Sequence, residues 1–379
     1  MNCIKDFFFL GFHMQYLIQG IIVGLICSVY AFFRLGKVIK FRGENPKTAK
    51  SRLLRFFIAL AIQIMCFNIW SNATLLIFYF TLCSMVSDIV FLIISGISKR
   101  KTPAFYQYGG IAVILLVIVY AAGIWNMNHY VETDYQISSD KVTHPYKVAF
   151  LSDIHYGSVQ DKRVLRDAAS DISALYPDVV ILGGDIVDER TTKENMREVC
   201  EILGNIKSRY GVFYIYGNHD RQFDVLDRPG GERTFSDEEL QSALSENGIT
   251  MLVDSCEVMD EVLLIGRDDV GWNDDFERKS VADIIADEPQ DLFMIVADHQ
   301  PVDTDVNSEL GVDMSISGHT HGGQVFPYPI FHEAMGILNY GEYRFGGLTH
   351  ITSSGLTGWG WPLRNAYHCE YVVVDIVPN

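Results

Sequence analysis

Seven side chains whose types suit metal binding recur in short polar clusters along the second half of the chain. They are Asp153 and His155 in Asp153-Ile154-His155, Asp185 in Gly183-Gly184-Asp185, Asn218 in Gly217-Asn218-His219-Asp220, His299, and His319 and His321 in Gly318-His319-Thr320-His321-Gly322-Gly323. Imidazole and carboxylate together suit Mn²⁺, Fe or Zn²⁺. Two cations about 3.5–4 Å apart would need a bridging carboxylate and several ligands each. This inventory supplies both. Asp-x-His or Gly-Gly-Asp alone is an ordinary turn. Two histidines among glycines, as in Gly-His-Thr-His-Gly-Gly, have little packing value and are the most specific piece.

Each cluster follows a short apolar run. Lys147–Ser152, Val179–Leu182, Val212–Tyr216, 292–297 and 313–317 read as buried strands, with helices expected at 161–175 and near 192–207. Strands alternating with helices argue for a βαβ core. Ligands of open α/β sheets gather outside the carboxyl ends of strands, so five loops would deliver Asp, Asn and His to one place. Further strands are expected near 249–253, 262–266, 348–353 and 370–376. Gly266-Arg267-Asp268-Asp269 follows one of them and could line the pocket. The glycines permit sharp turns and close backbone approach to a ligand.

The set Asp153-x-His155, Gly184-Asp185, Gly217-Asn218-His219-Asp220, His299 and Gly318-His319-x-His321 resembles the calcineurin-like metallophosphoesterase family over roughly residues 147–376. Phe150–His155, Gly318–Gln324 and Ser354–Arg364 look most like its bacterial, membrane-associated branch. The resemblance implies a four-layer αββα sandwich and two divalent ions. One ion would take Asp153, His155, Asp185 and His321. The other would take Asp185, Asn218, His299 and His319, with Asp185 as the bridge. His219 and Asp220 are the implied catalytic pair: His219 protonates the leaving group and Asp220 orients it. A hydroxide from metal-activated water would then attack phosphorus in line.

The 379 residues, 49% of them hydrophobic, exclude a disordered chain. Formal net charge is −17, unevenly spread. Residues 1–135 hold 12 Lys/Arg and 5 Asp/Glu, a balance of +7, so the remainder carries −24. That is a poor platform for nucleic acid, whose binding rests on phosphate neutralisation, and no nucleic-acid partner is expected. Seven cysteines at wide spacing form neither a zinc pattern nor a disulfide framework.

The basic part is apolar. Met14–Phe33 has no charge, Phe56–Ser95 has only Asp88, and Pro103–Tyr130 has none. At about 20 residues per span, these runs predict about four transmembrane helices, roughly 14–33, 53–70, 73–97 and 108–128. No small-residue cleavage site follows the first run, so it reads as a retained helix. The expected organisation is a transmembrane helical domain over 1–130, a linker over 131–146 and a metallophosphoesterase domain over 147–379. Basic residues between Arg34 and Arg55, and Lys99-Arg100-Lys101, place those loops in the cytoplasm. The catalytic domain then lies on the outer side of a plasma or inner membrane. Asp88 reads as a neutral, hydrogen-bonded carboxyl packed near Ser84, Ser87 or a neighbouring helix. Arg364 reads as a phosphate fork or a structural ion pair, and Trp359 and Trp361 as lipid-facing, core or pocket-wall residues.

The expected function is a membrane-anchored two-metal phosphoesterase acting on phosphate mono- or diesters, with membrane lipid or headgroup phosphates favoured by the anchoring. The alternatives are a UDP-2,3-diacylglucosamine-type pyrophosphate hydrolase and a membrane sensor or scaffold whose phosphoesterase domain only binds ligand.

Overall fold

The computed structural model describes residues 2–98, 103–226, 231–271 and 277–379; the Lys99-Arg100-Lys101 cluster lies outside them. The chain divides into two compact units, one reaching to Ala122 and one from Gly123 to Asn379.

The first unit is helical. It contains α1 (Asn2–Phe41), α2 (Ala49–Met65), α3 (Asn72–Ser98), the single turn α4 (Ala104–Gln107) and most of α5 (Gly110–Met127). Helices thus occupy all four expected positions. Three of them, α1, α3 and α5, contain stretches long and apolar enough to cross a membrane. The 17-residue α2 is shorter and carries Lys50, Arg52 and Arg55 in its first two turns. Its buried Arg55 donates to the carbonyls of Ser51, Phe32 and Pro46. Thr74 closes the turn between α2 and α3 by donating to the carbonyls of Met65 and Asn68.

Asp88 is hydrogen-bonded against neighbouring helices, as one of its expected settings had it, but its partners there include two cations. Its oxygens lie 3.3 Å from Arg34 Nε and 3.3 Å from Lys37 Nζ, and it accepts from the Tyr106 hydroxyl at 2.7 Å. The reason is that α1 continues as helix through Arg34 and Lys37 to Phe41 instead of ending near residue 33. Cations one turn apart on a helix share a face, and here that face meets Asp88.

The second unit is a sandwich of two six-stranded sheets. The first has the order β1 (Tyr130–Ser139), β12 (Cys369–Pro378), β2 (Tyr146–Leu151), β3 (Val179–Leu182), β4 (Gly211–Tyr214), β5 (Ile249–Met251). The second runs β10 (Gly341–Phe345), β11 (Leu348–Thr352), β9 (Met314–Ser317), β8 (Phe293–Ala297), β7 (Val262–Gly266), β6 (Ser255–Met259). Successive side chains point to opposite faces of a strand, and in β2 both faces are covered. Val148 and Phe150 join Ile181, Phe213, Leu264, Ile295 and Ile316 in the core between the sheets. Ala149 and Leu151 join Val180 and Leu182 beneath Leu165, Ala168 and Ile172 of α6 (Lys162–Leu175) and Met196, Val199 and Leu203 of α7 (Lys193–Gly204). On the far side, Leu263, Ile265, Met294 and Val296 pack with Val281 and Ile285. The layers are therefore α, β, β, α. Burying each such aliphatic side chain contributes about 1.5–3 kcal/mol.

Residues 131–146, expected as a linker, instead supply β1. It pairs in parallel with β12 from Tyr130–Cys369 to Ser139–Pro378. Three strands escaped the sequence reading, β1, β6 and β10, and all three are sheet edges. An edge strand has a solvated face and lacks the continuous apolar run of a central strand. In β1 the period-two alternation Val131, Thr133, Tyr135, Ile137 was the available signal. Ile137 is 5% exposed and packs in the inter-sheet core. Ile137→Ala should cost about 2–5 kcal/mol in denaturant unfolding of the solubilised protein, whereas a linker residue would cost almost nothing.

Candidate metal centre

All seven expected ligand residues converge at the carboxyl ends of β2, β3, β4, β8 and β9. Two groups could each hold a cation: Asp153, His155 and His321, and Asp185, His299 and His319. Asp185 lies between them. Its Oδ2 is 3.2 Å from His299 Nε2 and 3.8 Å from His155 Nε2. Asn218 Oδ1 lies 3.1 Å from His299 Nε2 and 2.8 Å from His319 Nδ1. His321 Nε2 lies 3.5 Å from Asp153 Oδ1.

The hydrogen bonds behind the imidazoles decide what this pocket accepts. His299 Nδ1 donates to the Gly183 carbonyl at 2.8 Å and His321 Nδ1 to the Thr357 carbonyl at 3.1 Å. His155 Nδ1 lies 3.6 Å from Asp188 Oδ2, too far for a hydrogen bond but close enough for the carboxylate to favour a proton on that nitrogen. A carbonyl or carboxylate partner puts the ring proton on Nδ1 and leaves Nε2 as a bare lone pair. Yet His155 Nε2 and His321 Nε2 face each other at 3.3 Å, and His299 Nε2 faces the acceptors of Asp185 and Asn218. Acceptors converging on acceptors need positive charge between them. The residues present therefore fit a pair of divalent cations, with outer hydrogen bonds that fix ring orientation as metal sites require.

The electrostatics agree. Burial pushes His321 down to about 3, and it pushes His319 down to about 3 with the neighbouring His299 adding to it, so both rings are neutral. Burial also opposes charge on His299 and Asp185, but their mutual attraction overrides it: His299 is held above its ordinary value and Asp185 well below. The pocket thus draws positive charge to His299 Nε2, as a proton where no cation stands and as a cation where one is bound.

Backbone geometry aims these groups. Asp153, His155, Asp185, His319 and His321 have φ of 53°, 45°, 52°, 71° and 51°. Left-handed backbone in non-glycine residues costs on the order of 1–3 kcal/mol each and persists only where the surroundings over-determine it. Those surroundings are visible. The His319 N–H donates to both Asp153 oxygens at 3.0 and 3.2 Å, and the His219 N–H to Asp185 Oδ1 at 2.9 Å. A Cβ at Gly217 would collide with Asp185, and one at Gly318 with Asp153 and Ser152.

Asp220 does not orient His219. Its carboxylate accepts from the backbone N–H groups of Asp185, Ile186, Val187 and Gly217 at 2.9, 2.9, 3.1 and 2.6 Å. It ties the β3 and β4 loops together. Burial, with Asp185 beside it, raises it to about 6. The partner of His219 is Glu189, whose Oε1 accepts from Nδ1 at 2.6 Å. Both side chains are about 5% exposed. Trp359 stacks on the other side of the pair, 5.0 Å from the His219 ring centroid, and so forms a pocket wall.

Sequence reasoning missed Glu189, Asp188 and Thr357. The first two follow Asp185 by four and three residues, close enough for the same loop to deliver them. Thr357 reaches the site by donating to the carbonyls of Asp153 and Ile154, a contact between distant segments that no local pattern marks. Asp269 is buried, accepts from the Gly271 N–H at 2.7 Å and from Gln300, and is pushed up to about 7 by burial. Arg364 is neither a phosphate fork nor half of an ion pair. It is fully buried and donates to the carbonyls of His321, His368, Ser354 and Thr357.

Residues 146–323 match the calcineurin-like phosphoesterase family. The chain is similar to an uncharacterized metallophosphoesterase of Helicobacter pylori strain 26695, 26% identical over 357 residues, covering 88% of this chain and 91% of that protein. A second, from strain J99, is 29% identical over 248 residues, covering 63% of this chain and 62% of its own length. A zebrafish transmembrane protein with metallophosphoesterase domain is 28% identical over 235 residues, covering 59% of this chain and 51% of that one. The second unit therefore carries a calcineurin-like metallophosphoesterase domain, and its metallophosphoesterase relatives support a metal-dependent hydrolase. The family works with a dinuclear metal centre.

Asp220→Ala would strand four buried N–H groups, so it should lose at least about 3 kcal/mol of stability. Asp220→Asn, which keeps one acceptor oxygen, should lose less. Chemical denaturation of both variants checks this.

Proposed function

We propose that this protein is a membrane-anchored two-metal phosphoesterase that hydrolyses phosphate mono- or diesters carried by lipids or lipid headgroups on the outer side of the membrane. The observation that carries the reading is the pair of acceptor clusters meeting at Asp185. There, Asp153, His155, His321 and Asp185 would hold one ion, and Asp185, Asn218, His299 and His319 would hold the other. Bound there, two divalent cations supply Lewis acidity toward the phosphoryl oxygens and toward water. Their N and O donors suit Mn²⁺, Fe or Zn²⁺.

The remaining chemistry falls to the chain itself. His219 gives its Nε2 proton to the leaving oxygen as the ester bond breaks. Glu189 holds Nδ1 and keeps the ring oriented and charged. Trp359 covers the ring face and limits water access. Asp220 acts earlier, by fixing the backbone that aims Asp185.

Metal content and turnover separate these roles. Asp185→Asn should retain neither ion by elemental analysis. His219→Ala should keep both and lose about 10²–10⁴-fold in kcat, most severely on alkyl esters, whose leaving groups need the proton most. Glu189→Gln should show the same leaving-group dependence with a smaller loss. Full activity of His219→Ala on an alkyl ester would remove the acid role. A panel of lipid phosphates and soluble diesters with Mn²⁺-loaded protein, against Asn218→Ala as blank, identifies the substrate class.

The outward orientation rests on the basic residues between Arg34 and Arg55, which favour the cytoplasmic side. A reporter fused after Asn379 should read as extracytoplasmic; a cytoplasmic reading overturns it.

A further inference from the structure

The segment behind His321 carries exposed apolar surface. Phe326, Ile330, Phe331 and Met335 are 44%, 54%, 57% and 70% exposed. The last three lie on or just beyond α12 (Tyr328–Ala334). No Asp, Glu, Lys or Arg occurs from His321 through His332. Elsewhere in this unit, among the described residues, large exposed apolar side chains are scattered as Val131, Tyr176, Val258 and Val306, apart from Ile124 and Trp125 on α5. Single exposed apolar residues are ordinary; a cluster marks an interaction surface.

Hydrogen bonds locate the cluster. Gln324 Nε2 donates to the carbonyls of Trp361 and Leu363 at 3.0 and 3.1 Å, and the Phe326 N–H donates to Asn365 Oδ1 at 2.9 Å. The same 361–367 loop grips the last turn of α5. The Arg364 N–H donates to the Gly123 carbonyl at 3.0 Å, and Asn126 Nδ2 donates to the carbonyls of Arg364 and Tyr367 at 3.1 and 2.9 Å. α5 has 18 residues and is apolar enough to cross a membrane. At about 1.5 Å per residue it spans about 27 Å, nearly the thickness of a hydrocarbon core. On the membrane-anchored reading, its final turn lies at the bilayer boundary. Trp125 in that turn is 60% exposed, where an interfacial aromatic belongs. The apolar cluster thus begins one hydrogen-bonded loop away from the last turn of α5.

We propose that Phe326, Ile330, Phe331 and Met335 dip into the interfacial region of the same bilayer that α5 crosses. The occupant of this surface is lipid. Continuity with the membrane boundary at α5 and the uncharged stretch point to it. The inference rests on the membrane-anchored reading and deepens it. His321, a candidate metal ligand, lies five residues before Phe326. A bilayer-seated α12 would open the metal centre onto the headgroup layer, so a headgroup phosphate could reach it without leaving the leaflet.

The test uses the full chain in phosphatidylcholine–phosphatidylglycerol nanodiscs. Cys3→Ser and Cys256→Ser clear the background, and a nitroxide is attached at Met335→Cys, at Phe331→Cys, or at Tyr176→Cys as control. Tyr176 is 63% exposed and precedes β3, at the opposite strand end from the metal centre. Power-saturation spectroscopy compares collision with oxygen, which partitions into lipid, and with a water-soluble nickel chelate. Oxygen should dominate at 335 and 331 and the chelate at 176. A chelate-dominated signal at 335 and 331 overturns the proposal. So does shielding from both reagents, which would mean that a second copy or another protein covers the patch. The reading needs no turnover, so it succeeds or fails independently of the substrate class.

Discussion

Lone pairs from His155, His299 and His321, with oxygens of Asp153, Asp185 and Asn218, point into a single pocket in which His155 and His321 stand 3.3 Å apart, acceptor to acceptor. Such groups repel unless positive charge sits among them, and the buried setting strengthens both the repulsion and its relief. Much of the second unit can be understood as the structure needed to hold that arrangement. Gly183 and Thr357 carbonyls set the ring tautomers, and Asp220 collects four N–H groups so that the β3 and β4 loops stay in register.

Holding acceptors together is costly, and the cost is distributed. Five site residues adopt left-handed backbone, at a penalty that only rigid surroundings sustain. Both sheets supply that rigidity, because β2, β3, β4, β8 and β9 are packed on each face. Arg364 contributes from the far end of the sequence. Its buried guanidinium binds four carbonyls around the His321 and Thr357 segments.

The membrane-associated unit follows a different rule. Its helices bury little apolar surface against each other, as expected where lipid is the solvent. The exception is polar. Asp88 meets Arg34, Lys37 and Tyr106, which satisfies a carboxylate inside an otherwise apolar helix. It is a contact among helices.

The local pattern of apolar runs ending in Asp, Asn, His and Gly already determined the central strands, their order along the chain and the seven candidate ligands, because chemistry-bearing side chains must sit at strand ends and glycine must flank tight turns. The apolar runs likewise determined where helices form near the amino terminus. What the sequence did not determine was pairing. That Tyr130–Ser139 is an edge strand, that His219 takes Glu189 and not its neighbour Asp220, that Arg364 grips carbonyls, and that Asp88 finds two cations all depend on which distant segments meet. Side-chain partners are chosen by three-dimensional proximity, and adjacent residues on a loop can point in opposite directions.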